Sequence, residues 1–389
     1  MRVQKDIRQC CGCTACVNIC PKNAIIITQD VKGFYYPEIK EELCISCNLC
    51  KVVCDFTKFE PIKNKAITSY AVRHRNPDEV RTSRSGAFFS AVANHVIKRG
   101  GVCYGAILSD DLRVEHREAK TIEMCVRFKG SKYVQSYIPQ NLFTEAGEYL
   151  KAGRTVLFSG TGCQVHGLLS YLEIKRISMD SLITIDFICH GVPSPGVWSH
   201  YKDEIERRAN SKLMSVNFRD KNKFGWVAHL ETYNFANGNQ ESNSNWADVF
   251  YQHCMFRESC YNCPYTTPYR NSDFTIGDYW GYEKVIDGYR DNEGLSFVIA
   301  QNDKARLLLA ELDTQLEIHQ TELEKSMQPQ LCNPVYKGIE YNRFWKEYTK
   351  KADTAIKVFF FPGIIRRIYL ASLKRIKPCV KRFLRVLHR

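Results

Sequence analysis

Hydrophobic residues in the middle of the chain follow a strand–helix–strand pattern. Val156, Leu157 and Phe158 form a short apolar stretch that predicts a buried strand. A helix is predicted next, because apolar residues recur at i, i+3, i+4 and i+7 from Val165. The stretch "SLITIDFICHG" predicts a second strand. Together they predict a βαβ unit of about thirty residues with parallel strands, whose carboxyl ends are where ligands bind.

Patterns on either side of this unit predict further elements. "AIIIT" and "GFYYPEI" predict two short strands near the N terminus, and "VCYGAIL" predicts another strand. A helix is expected over "FFSAVANHVIK", because its apolar residues have helical spacing. Ser83 or Ser85 can cap the start of this helix, and Gly100 with Gly101 can end it.

The number and position of the cysteines indicate whether they bind metal or form disulfides. The chain has 18 cysteines, and nine of them lie within residues 10–54. The start, "MRVQKDIRQC", has no apolar segment typical of an export signal. We therefore expect a reducing, cytoplasmic environment in which metal binding is favoured over disulfides. No apolar stretch approaches the ~18 residues of a membrane span.

Two cysteine runs near the N terminus share one spacing. The first run, "CCGCTACVNICP", contains Cys-x2-Cys-x2-Cys-x3-Cys-Pro, and the second run, "CISCNLCKVVC", repeats it without the proline. This is the pattern of two-cluster bacterial ferredoxins, in which the fourth cysteine of each run binds the other cluster. One [4Fe–4S] cluster is therefore predicted to bind Cys10, Cys13, Cys16 and Cys54, and the other to bind Cys44, Cys47, Cys50 and Cys20.

Cys11 lies out of register with the first run and is not expected to bind iron. Two structural zinc sites are the alternative, because Cys-x2-Cys is also a zinc spacing. Zinc sites usually use paired Cys-x2-Cys elements, however, and each run here has three closely spaced cysteines followed by a fourth. The ferredoxin interpretation is therefore favoured.

Another set of cysteines occurs in "HCMFRESCYNCPY" and comprises Cys254, Cys260 and Cys263. This stretch lacks a fourth ligand for a cubane cluster. Cys189 is the first choice for that ligand and Cys163 the second, because both are expected at the carboxyl edge of the predicted parallel strands. The alternatives are a zinc site that includes His253, or no metal.

Further residues with possible chemical roles are expected at the same edge of the sheet. The Gly-Thr-Gly turn from Gly160 to Gly162 can receive a phosphate on its N–H groups, although a plain strand-to-helix turn explains it equally well. It is not a dinucleotide fingerprint, since the third glycine, Gly167, is misplaced. Cys163 at the helix start is expected to have a lowered pKa. His190 is a candidate proton donor, with a structural role as the alternative.

Charge is concentrated at the C terminus. The net charge of the chain is +13. Residues 351–389 hold eleven Lys or Arg residues and one acidic residue, so this segment contributes a net charge of +10. The remaining body is nearly neutral, and nucleic-acid binding is not expected. In residues 355–389, "IIRRIYLASLKRIK" predicts a basic amphipathic helix on the inner face of a membrane. The alternatives are a helix packed on the body and a basic surface for an acidic donor such as ferredoxin.

The chain resembles the coenzyme F420 hydrogenase/dehydrogenase beta-subunit family, in its form with an N-terminal two-cluster ferredoxin. The matching stretches occur in order over most of the chain and are "SRSGAFFSAVANHVIKRGGVCYGA", "FKGSKYVQS", "SGTGCQVHGL", "FICHGVPSPGVW", "CYNCPY" and "FTIGDYWG". Gly162 is a departure, because the family often has proline after Gly-Thr. The regions implied are a ferredoxin-type domain (1–60), the N-terminal-like (66–150) and C-terminal-like (151–335) regions of the beta subunit, and a basic amphipathic tail (336–389).

The fold class that follows is α+β. An N-terminal two-cluster ferredoxin-like domain precedes an α/β domain that binds flavin and iron–sulfur, and a basic helical tail ends the chain. The resemblance implies FAD and a third cubane cluster in the central domain. The residues expected to bind FAD are Ser85, Gly86, Lys132, Tyr133, Gln135, Ser136, Gly160, Thr161 and Cys163.

The resemblance also implies an iron–sulfur flavoprotein oxidoreductase. Reduced ferredoxin or a similar donor would deliver electrons through the clusters to FAD, which passes a hydride to a small-molecule or glycan-linked acceptor. Coenzyme F420 is the partner only in some members, and other relatives occur in gene sets for cell-surface polysaccharides. The alternatives are a non-enzymatic electron-transfer subunit of a larger redox complex and a cluster-stabilised interaction module.

Overall fold

A computed structural model describes residues 2–54, 56–62 and 66–362 of the 389-residue chain. The strands are β1 (Ile25–Gln29), β2 (Tyr35–Ile39), β3 (Thr68–His74), β4 (Val102–Leu108), β5 (Val114–Ala119), β6 (Val156–Thr161), β7 (Leu182–Phe187), β8 (Leu213–Asn217), β9 (Glu231–Phe235), β10 (Gln240–Asn243), β11 (Phe274–Asp278), β12 (Ser296–Ala300) and β13 (Leu316–Thr321). The helices are α1 (Ala15–Ile19), α2 (Leu49–Val52), α3 (Pro77–Thr82), α4 (Phe88–Lys98), α5 (Ile122–Val126), α6 (Leu142–Lys151), α7 (Gly162–Ile174), α8 (Pro195–Ala209), α9 (Lys221–Phe224), α10 (Asn245–Phe250), α11 (Asp303–Glu311), α12 (Tyr341–Lys350) and α13 (Ala352–Phe360). The fold is therefore mixed α/β.

An eight-stranded sheet forms the centre of the molecule, in the order β13-β3-β12-β11-β7-β6-β4-β5. β4, β6, β7 and β11 are parallel to one another, and the other neighbouring strands pair antiparallel. The predicted βαβ unit is confirmed as β6, α7 and β7. Strands from residues 66–150 and from residues 151–335 share this sheet, and a smaller sheet has the order β10-β9-β8.

The N-terminal region is built from two similar halves around one hairpin. β1 and β2 pair antiparallel, as "AIIIT" and "GFYYPEI" predict. Each cysteine run leads into a short helix, α1 or α2. The residue before each helix, Thr14 or Asn48, has a left-handed φ of 60°. The repeated spacing in the sequence therefore produces a repeated backbone.

This region packs against α6 and α7. Val17 of α1 lies in one buried cluster with Phe143 and Leu168. The Asn18 side chain accepts a hydrogen bond from the backbone N–H of Phe143 at 3.1 Å. Apolar contact supplies most of the attraction between such surfaces, and the hydrogen bond sets the register of α1 on α6.

The helix predicted over "FFSAVANHVIK" is confirmed as α4, but neither Ser83 nor Ser85 caps it. The residue before the helix is Ala87, with φ 64°. The Ser85 hydroxyl instead donates to the Leu295 carbonyl at 2.5 Å. At Gly86, a Cβ atom would lie 2.1 Å from the Val72 carbonyl oxygen. Close approach to β3 and β12 therefore fixes the start of α4.

The C-terminal helices α12 and α13 pack into the aromatic core. Phe344, Trp345, Ile356 and Phe359 are buried there. The prediction of a membrane-facing helix is therefore wrong for residues 355–360, because their apolar side chains face the core. The basic segment "IIRRIYLASLKRIK" lies outside the described residues. In the part of the chain that the structure describes, no helix is long and apolar enough to cross a membrane.

Candidate functional site

Four cysteines of the N-terminal region come together in the protein interior. Burial raises the pKa of Cys16 well above its ordinary value, and the negative charges of Cys13, Cys10 and Cys54 add to the shift. Burial, followed by the charge of Cys13, raises the pKa of Cys54 to about 11. Four mutually interacting thiols are the donor set of a cubane cluster. These four cysteines, Cys10, Cys13, Cys16 and Cys54, are named the first group.

The second group comprises Cys20, Cys44, Cys47 and Cys50, which line one cavity. Ile25 and Ile39 of the hairpin contribute apolar wall to it. Burial raises the pKa of Cys50, and the charges of Cys47, Cys20 and Cys44 add to this effect. Cys44 and Cys47 are exposed. The second group therefore also has the donors of a cubane cluster, but it faces solvent.

The third group comprises Cys163, Cys189, Cys260 and Cys263. Cys163 lies in the first turn of α7 and Cys189 follows β7, so both lie at the carboxyl edge of parallel strands. Burial, then the charges of Cys189 and Cys263, raise the pKa of Cys260 well above its ordinary value. Within the described ranges, no three His, Cys, Asp or Glu side chains converge on one single-ion position. The four thiols are nevertheless close enough that, in addition to burial, the charges of Cys163 and Cys189 raise the pKa of both Cys260 and Cys263.

Cys254, which the sequence predicts as a ligand, lies in the aromatic core instead. It is fully buried with Phe250 and Phe256. Its thiol donates to the Val249 carbonyl across 3.9 Å. The structure brings Cys163 rather than Cys254 to the third group, because α7 begins beside the end of β7. The strand–helix–strand pattern predicted Cys163 and Cys189 at one sheet edge, whereas cysteine spacing along the chain did not reveal that Cys254 lies elsewhere.

Cys11 lies between the first and third groups. It is buried beside Phe56 and Tyr265. Hydrogen bonds to Cys13 and Cys163, together with burial, raise its pKa well above the ordinary value. The hydrogen bond from Cys11 lowers the pKa of Cys13 and lowers that of Cys163 to about 7, so the lowering expected from the helix start has a different main cause. Cys11 thus packs against one cysteine of each group.

Several residues predicted to bind FAD use their polar groups inside the protein. The Lys132 ammonium donates to three carbonyls at the end of α5, each at 2.9 Å. Burial lowers the pKa of Lys132 to about 7. The Gln135 side chain accepts from Arg257 at 3.0 Å, and the Ser136 hydroxyl accepts from Gln164 at 2.9 Å. Flavin binding by these three predicted residues stays a prediction.

The turn between β6 and α7 is closed by Gln164. Its side chain accepts a hydrogen bond from the Thr161 N–H at 3.0 Å as part of a capping box. The Thr161 hydroxyl lies 3.1 Å from Cys163 Sγ. A Cβ on Gly160 would lie 3.0 Å from the Gln164 side-chain oxygen. One N–H group that was predicted to receive a phosphate is therefore already used within the turn.

His190, the candidate proton donor, contacts His253 with their ring nitrogens 2.8 Å apart. Its ring also lies against Phe250 and Phe256. Burial lowers the pKa of His190 to about 4, so the ring is neutral near pH 7. A neutral ring packed among aromatic side chains fits a structural role, and proton donation by His190 stays a prediction.

A cationic and aromatic site, which the sequence did not single out, lies beside Ser85 and Tyr133. We name it the arginine–tryptophan site, and its members are Arg84, Arg219, Trp226, Asp278 and Trp280. Arg219 donates to the Asp278 carboxylate at 2.6 Å and to the Tyr133 hydroxyl at 3.3 Å. Arg84 lies 3.7 Å from the same carboxylate. Two guanidinium groups thus share one carboxylate, which leaves an excess positive charge.

This excess charge is buried and incompletely hydrogen-bonded. Nε and Nη1 of Arg84 and Nε of Arg219 are buried without a hydrogen-bond partner among the described residues. The Trp226 and Trp280 rings stack with centroids 4.4 Å apart, and Trp280 is 39% exposed. Guanidinium groups beside an accessible ring fit an anionic group attached to a planar ring. Isolated arginines far apart in sequence carry no periodic signal that could have predicted this site.

Sequence comparisons match two parts of the chain to known proteins. Residues 153–326 match the family model for the C terminus of the coenzyme F420 hydrogenase/dehydrogenase beta subunit. Over 49 residues, 13% of this chain, the sequence is 39% identical to an uncharacterized ferredoxin of Methanocaldococcus jannaschii, and the match spans 62% of that protein.

A solved structure, described as a xenon derivatization of the F420-reducing [NiFe] hydrogenase complex from Methanosarcina barkeri, is also similar. The similarity covers 75% of this chain and 90% of that chain, with a TM-score of 0.44 and 15% sequence identity. The resemblance expected from the sequence is confirmed over residues 153–326, which match the family model for the C terminus of the coenzyme F420 hydrogenase/dehydrogenase beta subunit.

Proposed function

We propose that the chain is an iron–sulfur flavoprotein oxidoreductase that takes electrons from a ferredoxin-type donor and reduces a hydride acceptor. When bound, cubane clusters supply one-electron transfer, and FAD collects two electrons for hydride transfer. The acceptor is a small molecule or a glycan-linked substrate, with a role in cell-surface polysaccharide synthesis as the proposed setting. The family name does not fix the acceptor as coenzyme F420.

The series of three cysteine groups is the observation that carries this proposal. The second group reaches solvent through Cys44 and Cys47, the first group is more buried, and the third group lies at the edge of the central sheet. Cys11 packs against Cys13 of the first group and Cys163 of the third. At Gly167 of α7, a Cβ would lie 2.9 Å from Cys13 Sγ, so the first group packs directly on the helix that bears Cys163.

For FAD we propose a site that includes the arginine–tryptophan site together with Ser85 and Tyr133. Three guanidinium nitrogens that lack a hydrogen-bond partner among the described residues suit the diphosphate of FAD, because guanidinium groups bind phosphate oxygens in pairs. Trp280 and Tyr251 are partly exposed, at 39% and 38%, and offer aromatic surface to a flavin ring. The Tyr133 hydroxyl is tied to this site by its hydrogen bond with Arg219.

The cofactor content of anaerobically purified, full-length protein tests both parts of the proposal. Three cubane clusters require about twelve irons per chain. Arg219→Gln is expected to lower the FAD content several-fold, because it removes a buried cation. The matched control is Arg117→Gln, which removes an exposed cation paired with Glu115 and should leave FAD unchanged. About eight irons would reject the third cluster, and full FAD in Arg219→Gln would reject the site.

A non-enzymatic electron-transfer subunit is the second candidate function. The exposed second group favours it, because a partner protein could dock there without any substrate site in this chain. Turnover distinguishes the two candidates: the purified chain is supplied with reduced ferredoxin and a panel of small acceptors. Acceptor reduction without a partner protein supports the oxidoreductase. If the chain takes up electrons but an acceptor is reduced only after a partner protein is added, the result supports the electron-transfer subunit.

Peripheral contact with a membrane through residues 363–389 is also proposed. Each Lys or Arg near an anionic leaflet contributes about 1 kcal/mol. The test is sedimentation with anionic vesicles of full-length protein and of protein that ends at Pro362. This cut keeps α13, whose Ile356 and Phe359 are buried, so that any loss of binding does not reflect unfolding. Equal sedimentation of the two proteins would remove the tail from the proposal.

A further inference from the structure

Arg257 is fully buried where the N-terminal region meets the central domain. Its Nε donates to the Cys10 carbonyl at 2.7 Å, and its Nη2 lies 3.4 Å from Cys10 Sγ. Its Nη1 donates to the Tyr35 carbonyl and to the Gln135 side chain, both at 3.0 Å. Its Cζ lies 4.1 Å from the centre of the Tyr36 ring. The guanidinium is therefore held against the start of the first run.

The charge of Arg257 is not balanced by a carboxylate. Within residues 2–54, 56–62 and 66–362, no ion pair joins Arg257 to an Asp or Glu, and the neighbouring Glu258 pairs with Lys32 and Lys337 instead. A buried cation that contacts only neutral groups is costly, because it has lost its water. An iron–sulfur cluster with four thiolate ligands is an anion, and the first group would place that anion beside Arg257.

We propose that Arg257 raises the reduction potential of the cluster bound by the first group, above that of the cluster bound by the second. This inference rests on the proposed function. In the reduction step a ferredoxin-type donor loses one electron and the cluster gains it, and no bond is made or broken. The negative charge of the cluster grows by one. A desolvated cation 3.4 Å from a ligand sulfur therefore stabilises the reduced form more than the oxidised form.

The second group has a different electrostatic setting. Cys44 and Cys47 are exposed, and Lys22, which lines the same cavity, is also exposed, so that water screens its charge. A potential difference of the proposed sign moves electrons inward, from the solvent-facing second group to the buried first group. Arg257 is therefore a positioning residue: it favours the electron on the first-group cluster and does not contact substrate.

Redox titration of full-length protein, followed by EPR, tests this role with three variants. Arg257→Gln removes the charge and should lower the potential of one N-terminal cluster only. The expected change is at least tenfold in the equilibrium constant for electron exchange between the two clusters, about 59 mV for one electron. Arg257→Lys keeps the charge without the planar fork and should give a smaller decrease. Unchanged potentials in Arg257→Gln would overturn the proposal.

The matched control is Arg2→Gln. Arg2 lies over the same Tyr36 ring, with Cζ 4.8 Å from its centre. It pairs with Glu38 at 3.7 Å, and its side chain is 34% exposed. Because water and Glu38 already offset this charge, its removal should leave both potentials unchanged. An equal shift in Arg2→Gln and Arg257→Gln would mean that overall charge, and not the buried contact, sets the potential.

A second measurement needs no substitution. Arginine labelled with ¹⁵N in the guanidinium group is incorporated into the wild-type protein, and pulsed EPR is recorded on the reduced clusters. A coupling between a labelled nitrogen and the first-group cluster is expected, and its absence would overturn the proposal even if Arg257→Gln does not fold. Iron content separates the two failures: a protein without clusters contradicts the proposed function, whereas full iron without the coupling contradicts only the role of Arg257.

Discussion

The two cysteine runs of the N-terminal region adopt the same local backbone. Thr14 and Asn48 both have φ 60° at the start of a short helix. Gly12 and Ser46, between the first and second cysteines of each run, have φ values of 74° and 54°. Both runs therefore wrap their cysteines in the same way, since the spacing requires the same left-handed turns.

Their surroundings are opposite. The residue after the first cysteine is Cys11 in one run and Ile45 in the other, and these are 8% and 57% exposed. The first run lies against α7 and Arg257, whereas the second run faces solvent. The spacing of the cysteines thus arranges the thiols in the same way in both runs, and the surface against which each run packs decides its electrostatic environment.

The largest difference between the runs is expected when a ligand is removed. Cys16→Ser and Cys47→Ser should each lose one cluster, with iron falling from about twelve to about eight per chain. Cys16 is buried against the central domain, so only Cys16→Ser should also lower the midpoint of thermal unfolding, by several degrees. Iron analysis and thermal unfolding check this, and equal midpoints would contradict the difference in burial.

A smaller difference is expected when Gly12 and Ser46, the residues with left-handed φ values in the two runs, are substituted. In Gly12→Ser the new Cβ would lie 2.6 Å from the Gln135 amide nitrogen and 3.1 Å from Arg257 Cζ. This overpacking should lower the free energy of unfolding by about 1–3 kcal/mol. Ser46→Gly relieves a left-handed conformation and should be neutral or stabilising by up to ~1 kcal/mol. Chemical denaturation measures the free energy of unfolding of both variants. Destabilisation by Ser46→Gly would contradict the expected difference between the two runs.

The contact between the first run and α7 can be tested at Gly167. A Cβ there would lie 2.9 Å from both Cβ and Sγ of Cys13, so Gly167→Ala should shift the EPR spectrum of the first cluster and lower stability by ~1 kcal/mol. Gly147→Ala is the matched control on α6, because its Cβ would lie 2.8 Å from the flexible end of Ile177 and at ordinary contact distance from Leu172 and Tyr171. The second cluster should keep its spectrum in both variants. A spectral change of equal size in Gly147→Ala would show that the contact is not specific.

The smallest effect is expected at Cys11. Cys11→Ser should keep about twelve irons per chain, because Cys11 lies out of register with the ligand spacing and packs beside Cys13 and Cys163. Serine also carries a polar side chain, so the potentials of the first and third clusters should shift only slightly. Ile45→Ser, at the equivalent exposed position, should change neither the iron content nor the cluster potentials. Iron analysis with EPR titration checks this pair, and loss of a cluster in Cys11→Ser would mean that Cys11 is a ligand.

Hydrophobic periodicity predicted β6, α7, β7 and α4 because it reflects which face of each element is buried, and this is a local property. It did not predict how α4 begins, since Gly86 is placed by close approach to β3 rather than by a capping side chain. It also could not separate a membrane-facing helix from a core helix in residues 355–360. Both bury an apolar face, and only packing decides against which surface.

By itself, the sequence determined the two cysteine runs, because a spacing of two and three residues keeps sulfurs within reach of one another whatever surrounds them. The hydrophobic pattern also placed Cys163 and Cys189 at one sheet edge. Only the tertiary structure excluded Cys254, which lies in the aromatic core. It also brought Arg257 to Cys10, 247 residues away along the chain. Contacts of this kind depend on how sheets and helices pack, and packing between distant segments leaves no periodic pattern in a single sequence.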